Sequence, residues 1–79
     1  MDTHKMISIY IGRQLKVLRV NENYTLSEFA RLLKKSEQQV YRMESGVNKM
    51  DIDTMVMYFK LLHVDIPSFF NEVMLELEK

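Results

Sequence analysis

Thr25-Leu26-Ser27-Glu28-Phe29-Ala30-Arg31-Leu32-Leu33-Lys34-Lys35-Ser36-Glu37-Gln38-Gln39-Val40-Tyr41-Arg42-Met43-Glu44-Ser45-Gly46 is the stretch on which the fold turns. Thr25 stands three residues before Glu28, the spacing at which a hydroxyl and a carboxyl satisfy each other's free backbone N–H at a helix start. Phe29, Leu32 and Leu33 then supply the buried face of a short helix. A break falls around residues 34–36. Ser36 is a second good N-cap, and Val40 and Met43 give the core face of the next helix. Gly46 ends it, as the residue just past a helix where a left-handed conformation is wanted. The stretch reads as two short helices joined by a tight turn.

Upstream, Ile7, Ile11, Leu15 and Leu18 recur at spacings of four, four and three, with Met6, Tyr10 and Val17 beside them. That pattern predicts one wide apolar face on a long first helix, stopping at the turn-forming cluster Asn21-Glu22-Asn23. Downstream, Val47-Asn48-Lys49-Met50 reads as a loop, and Asp51 or Asp53 caps a fourth helix. Its apolar residues are Ile52, Met55, Val56, Phe59 and Leu62, and His63-Val64-Asp65 closes it. Pro67 fits the first turn of a fifth helix carrying Phe69, Phe70, Val73, Met74 and Leu77. No strand-like alternation competes, and there is no repeat or low-complexity segment. The expected architecture is all-α, five helices in one domain over residues 1–79, with an extended C-terminal helix.

Composition narrows the function classes. Nearly half of the 79 residues are apolar (47%), yet only Gly12, Gly46 and Pro67 interrupt the chain, which favours helices. A chain of this length buries a thin core, so association is a common source of added stability. The absence of cysteine excludes a disulfide scaffold and a Cys-based zinc site. No apolar run approaches the roughly 18 residues that suggest a membrane span. The opening Met1-Asp2-Thr3-His4-Lys5 has no signal-peptide plan, so a cytoplasmic location is expected. Net charge is zero, but it is unevenly spread. Nine basic and four acidic residues lie between Lys5 and Lys49, against two basic and six acidic from Met50 onward. A basic front and an acidic rear suit a module that turns one face to a polyanion. His4 and His63 stand far apart with no carboxylate pattern beside them and read as surface residues. No metal, cofactor, membrane or small-molecule ligand is expected, and no catalytic grouping has persuasive spacing.

Together these segments outline a helix-turn-helix. From Gly12 to Phe70 the chain resembles the lambda-repressor-like (Xre-type) helix-turn-helix family. Ile11-Gly12-Arg13-Gln14-Leu15-Lys16-Val17-Leu18-Arg19 is similar to the family's first helix, and Thr25-Leu26-Ser27-Glu28-Phe29-Ala30 to the start of its second. Ser36 to Gly46 resembles the recognition helix with its terminating Glu-x-Gly. Ile52-Asp53-Thr54-Met55 through Leu61-Leu62-His63-Val64 is similar to the fourth helix, and Ser68-Phe69-Phe70 to the fifth. Small Ala30 falls where the two motif helices cross. The chain departs from many relatives in having Leu26 for glutamine and Lys34-Lys35 for a glycine and an aliphatic. The second departure implies a turn that is distorted or simply more basic.

The resemblance assigns roles. It implies a structural ion pair between Arg19 and Glu44, and base readout in the major groove by Glu37, Gln38, Gln39, Tyr41 and Arg42. Phosphate contacts are expected from Thr25, Arg31, Lys34, Lys35, Ser36, Asn48 and Lys49. The helix over 67–79 is more apolar than a small core covers, so Phe69, Phe70, Val73, Met74 and Leu77 are expected at a two-fold dimer interface. The function implied is a homodimeric, sequence-specific regulator of double-stranded DNA acting on a pseudo-palindromic operator. A repressor or autoregulator of a nearby operon is the simplest form. The chain is similar in this to small fimbrial-operon regulators and to restriction-modification controller proteins. An antitoxin or adaptor that chiefly binds a protein is the alternative.

Overall fold

The computed structural model describes the backbone of residues 3–79 and the side chains of residues 6–79. His4 and Lys5, read above as a surface histidine and as part of the basic front, lie outside the described side chains, and Met1 and Asp2 outside the described residues. Five helices follow in order: α1 (Thr3–Asn21), α2 (Leu26–Leu33), α3 (Glu37–Glu44), α4 (Ile52–Leu61) and α5 (Ile66–Leu77). Each boundary has a local cause. Asn23 takes a left-handed φ of 65° and ends α1, with Tyr24 N–H donating back to Arg19 O. Thr25 and Glu28 form the reciprocal cap of α2, with bonds of 2.9 and 3.0 Å. Ser36 caps α3 in the same way, its partner being Gln39. Asp51, not Asp53, caps α4, accepting from the Thr54 N–H at 2.7 Å and from the Thr54 hydroxyl at 2.9 Å.

Three junctions are closed by residues other than glycine in the left-handed region: Asn23, Lys34 and His63. Lys34 (φ 58°, ψ 42°) adopts the conformation for which a glycine would be the unstrained choice. The turn between α2 and α3 is therefore regular in shape, held by Lys35 N–H on Ala30 O at 3.0 Å. The lysine carries some strain in exchange for a cation at that point.

The core has two parts. Leu15, Phe29 and Tyr58 are fully buried, and with Ile11, Phe59, Leu62, Phe69 and Val73 they form the main cluster. Ala30, Val40 and Met43 form a second cluster between α2 and α3. The expected faces shift in places. Val17, Leu32, Ile52 and Val56 are exposed, Met74 likewise, and Met55 is half-buried. On α4 the buried stripe is Thr54, Tyr58 and Leu62, joined by Phe59. These residues sit four apart on one face. Aliphatic periodicity alone rotates that helix toward Ile52 and Val56, because it gives no weight to a threonine and a tyrosine that are buried with their hydroxyls hydrogen-bonded to Asp51 and Glu44.

Candidate nucleic-acid interface

Helix α3 buries Val40, Met43 and Glu44 and leaves Gln38, Tyr41, Arg42 and Ser45 exposed. Positions 38, 41, 42 and 45 follow the i, i+3, i+4, i+7 rule and form one continuous outer stripe. An amide, a phenol, a guanidinium and a hydroxyl on such a stripe match the donor and acceptor pattern of base edges in a major groove.

Two devices fix this helix on the body. Gly12 lets the backbone of α1 approach that of α3 directly, since a Cβ there would lie 2.5 Å from the Met43 carbonyl oxygen. Arg19 and Glu44 then clamp the two helices in a buried bidentate pair, Nε to Oε2 at 2.8 Å and Nη2 to Oε1 at 3.0 Å. Arg19 also donates to Tyr24 O at 2.7 Å, which ties the α1–α2 junction to the same node. The Tyr58 hydroxyl completes it by donating to Glu44 Oε2 at 2.7 Å. The Glu44 carboxylate thus accepts three bonds, which a buried charge needs to offset its lost hydration. Neither Tyr58 nor Gly12 had been assigned a role from sequence.

Burial first, then the bond to Glu44 and its charge, hold the Tyr58 phenol well above its ordinary value of 10.0. The sign follows from linkage: a raised value means stability is fully present below the ordinary phenol value and drains away as pH rises beyond it. The urea midpoint is therefore expected to fall above about pH 10. In Tyr58→Phe that alkaline fall should be shallower. A variant with the same alkaline slope as the parent would refute the assignment.

The residues expected to read bases fall into two groups. Gln38, Tyr41 and Arg42 lie free on the outer stripe, and Glu37 is exposed in the first turn. Gln39 is exposed but engaged: its Oε1 accepts from Ser36 N–H at 2.8 Å, which leaves its amide NH2 and one Oε1 lone pair for other contacts. It caps α3, a task that the sequence expectation for this residue does not include. The Ser-x-x-Gln spacing of a capping box was the signal that could have revealed it.

The expected phosphate contacts divide similarly. Arg31, Lys34, Asn48 and Lys49 are exposed on the segments that flank α3. Lys35 is half-buried, with its Nζ 3.8 Å from Asp51 Oδ2, so its charge is shared with that carboxylate. Thr25 and Ser36 use their hydroxyl oxygens on backbone N–H groups and keep only the hydroxyl proton to donate. Beside Thr25 lies the Glu28 carboxylate, held below its usual value by the Thr25 backbone and side-chain bonds. A negative charge there opposes a phosphate, which weakens the expectation for Thr25.

The expected dimer set is corrected more sharply. Phe69 and Val73 belong to the protomer's own core, where Phe69 packs edge-on against Phe59 at 5.3 Å between centroids. Leu77 is half-buried, while Phe70 and Met74 are exposed, joined by Ile66 and Leu75, which sequence reading had not singled out. Two apolar residues four apart had looked like surplus because the depth of the α4–α5 contact was not visible in the sequence.

Among the described residues, no helix is long and apolar enough to cross a membrane. A family model described as helix-turn-helix matches residues 15–69, from the middle of α1 into α5 and over the whole of the α2–α3 unit. That family is a DNA-binding domain and not an enzyme family. No curated protein and no solved structure matches the chain significantly. With an all-α, five-helix, lambda-repressor-like fold and a matched segment spanning more than half of its length, the chain belongs to the Xre-type helix-turn-helix family of DNA-binding transcriptional regulators.

Proposed function

We propose that the chain is a homodimeric, sequence-specific regulator that represses its own or a neighbouring promoter from a pseudo-palindromic site. The observation that carries this reading is the outer stripe of α3. Gln38, Tyr41 and Arg42 are free and aligned there, while the rest of the helix is fixed by Gly12, Arg19 and Glu44. Gln38 pairs with adenine N6 and N7, Arg42 with guanine O6 and N7, and Tyr41 makes an aromatic or phosphate contact. Arg31, Lys34, Asn48 and Lys49 set the register on the backbone. The exposed apolar residues Ile66, Phe70, Met74 and Leu75 support a two-fold contact through α5. Such a dimer sets two copies of α3 about 34 Å apart. Working on genomic DNA, the regulator acts in the cytoplasm.

Selection of bound duplexes from a random pool tests this directly. The expected result is a palindromic consensus with half-sites one helical turn apart. Lys34→Ala/Lys49→Ala should weaken binding about equally for all sequences and flatten the salt dependence by about two charges. Sedimentation should give a dimer at tens of micromolar or on the operator. A pool with no enriched site and only weak, salt-sensitive binding would contradict the proposal and favour a protein-binding adaptor.

A further inference from the structure

Helix α1 has a second face that the DNA-binding surface does not use and that the core uses only at Tyr10. Met6, Tyr10, Arg13, Val17 and Val20 are spaced four, three, four and three residues apart, which is the seam of a coiled coil. Tyr10 is half-buried and Arg13 exposed. The three aliphatic members are open to solvent: Met6 at 44%, Val17 at 51% and Val20 at 52% exposure. Spread along roughly 20 Å of helix, they are not scattered single residues but one stripe. Two shallow hollows lie along it. One is lined by Met6, Tyr10 and Arg13 together with Glu76 and Leu77 of α5, the other by Arg13, Lys16, Val17 and Val20.

Charge selects the occupant. Residues 6–20 contain no carboxylate, and among the described residues neither Arg13 nor Lys16 forms an ion pair. A second copy of α1 fits badly. In a parallel in-register pair Arg13 would face Arg13 across the seam, and in either orientation two segments that carry Arg13 and Lys16 and no carboxylate would be brought together. A helix with apolar residues at heptad spacing and carboxylates on its flanks meets both requirements. The seam also turns away from α3, which α1 touches on its other side through Gly12 and Arg19. DNA and a helix on the seam can therefore be held together.

We infer that the outer face of α1 is a docking site for an acidic amphipathic helix of another protein, a co-regulator that binds while α3 occupies DNA. Four turns of helix bury less than the roughly 1,200 Å² of a standard interface, so the contact is weak and reversible.

The test uses the full chain, isotope-labelled, and two designed peptides of about three heptads, with leucine at the a and d positions. One carries glutamate on the flanking positions, the other lysine. The acidic peptide is expected to bind at roughly 10–100 µM, the range of weak transient contacts. Its amide shifts should centre on Met6, Tyr10, Arg13, Val17 and Val20. Val17→Glu/Val20→Glu should weaken it at least tenfold while leaving the melting temperature and DNA affinity unchanged. DNA affinity is measured separately, so a failed DNA reading and a failed docking site give different results. Equal binding of both peptides, no binding, or shifts centred on α3 or α5 would overturn the inference. A change in self-association in the double variant would also overturn it, by making the seam a contact between copies.

Discussion

Glu44→Ala is expected to cost on the order of 3–5 kcal/mol, the usual consequence of removing one partner from a buried ion pair. A 79-residue chain is stable by only about 4–12 kcal/mol in total, so the variant should lose from about a quarter to all of its stability. The loss is large because the Arg19 guanidinium stays behind in the space between α1 and α3 with only Tyr24 O to accept from it, and the Tyr58 hydroxyl loses its acceptor. Urea unfolding followed by circular dichroism reads this directly. The paired variant Arg19→Met/Glu44→Leu, which leaves no orphaned charge, should recover much of the stability. A single-variant loss below about 1 kcal/mol would mean that the pair is solvated and does not hold the recognition helix.

Gly12→Ala is the second large effect, and its direction is opposite to what helix propensity suggests. In the middle of an exposed helix, alanine gains about 1 kcal/mol over glycine. At Gly12 the new methyl would stand 2.5 Å from Met43 O and 2.7 Å from Glu44 O, both backbone atoms that cannot rotate away. Overpacking of this kind costs 1–3 kcal/mol and sometimes more. The separation of α1 from α3 that relieves it also stretches the bidentate Arg19–Glu44 contact. The net expectation is a loss of roughly 2 kcal/mol or more, and at about 4–8 °C per kcal/mol a fall in Tm of about 10 °C. An unchanged or raised Tm would show that α1 and α3 are not in backbone contact.

These two sites mark where the sequence was and was not legible. Caps were readable because their chemistry is local: Thr25 with Glu28, Ser36, and Gly46 at φ 77° lie within a few residues of what they satisfy. The order and number of helices followed from periodicity and from those caps. Features that depend on what another helix brings were not readable. A glycine in mid-helix does not reveal which backbone lies against it, and Gly12 carried no signal beyond its place in a family-like stretch. Tyr58 was hidden because a fully buried tyrosine is decided by its hydrogen-bond partner, here 14 residues away. Phe69 and Val73 look like spare apolar surface in the sequence, yet both lie in the main core cluster with residues of α1 and α4. On the outer stripe of α3, residue types suggest the readers, and the Ser36-x-x-Gln39 capping spacing is the one sequence sign that separates Gln39, held by Ser36, from Gln38, which is free.

Random-pool selection run side by side on the parent and on Gln38→Ala/Arg42→Ala shows whether the outer stripe of α3 reads base edges. Both residues are exposed, neither has a side-chain hydrogen bond or ion pair among the described residues, and the variant should melt with the parent. The parent is expected to enrich a palindrome. The variant should keep salt-dependent binding to any duplex but lose preference at the bases those two side chains contact, about 1–3 kcal/mol for each. If the variant enriches the same consensus with the same affinity, α3 is not the element that reads the bases.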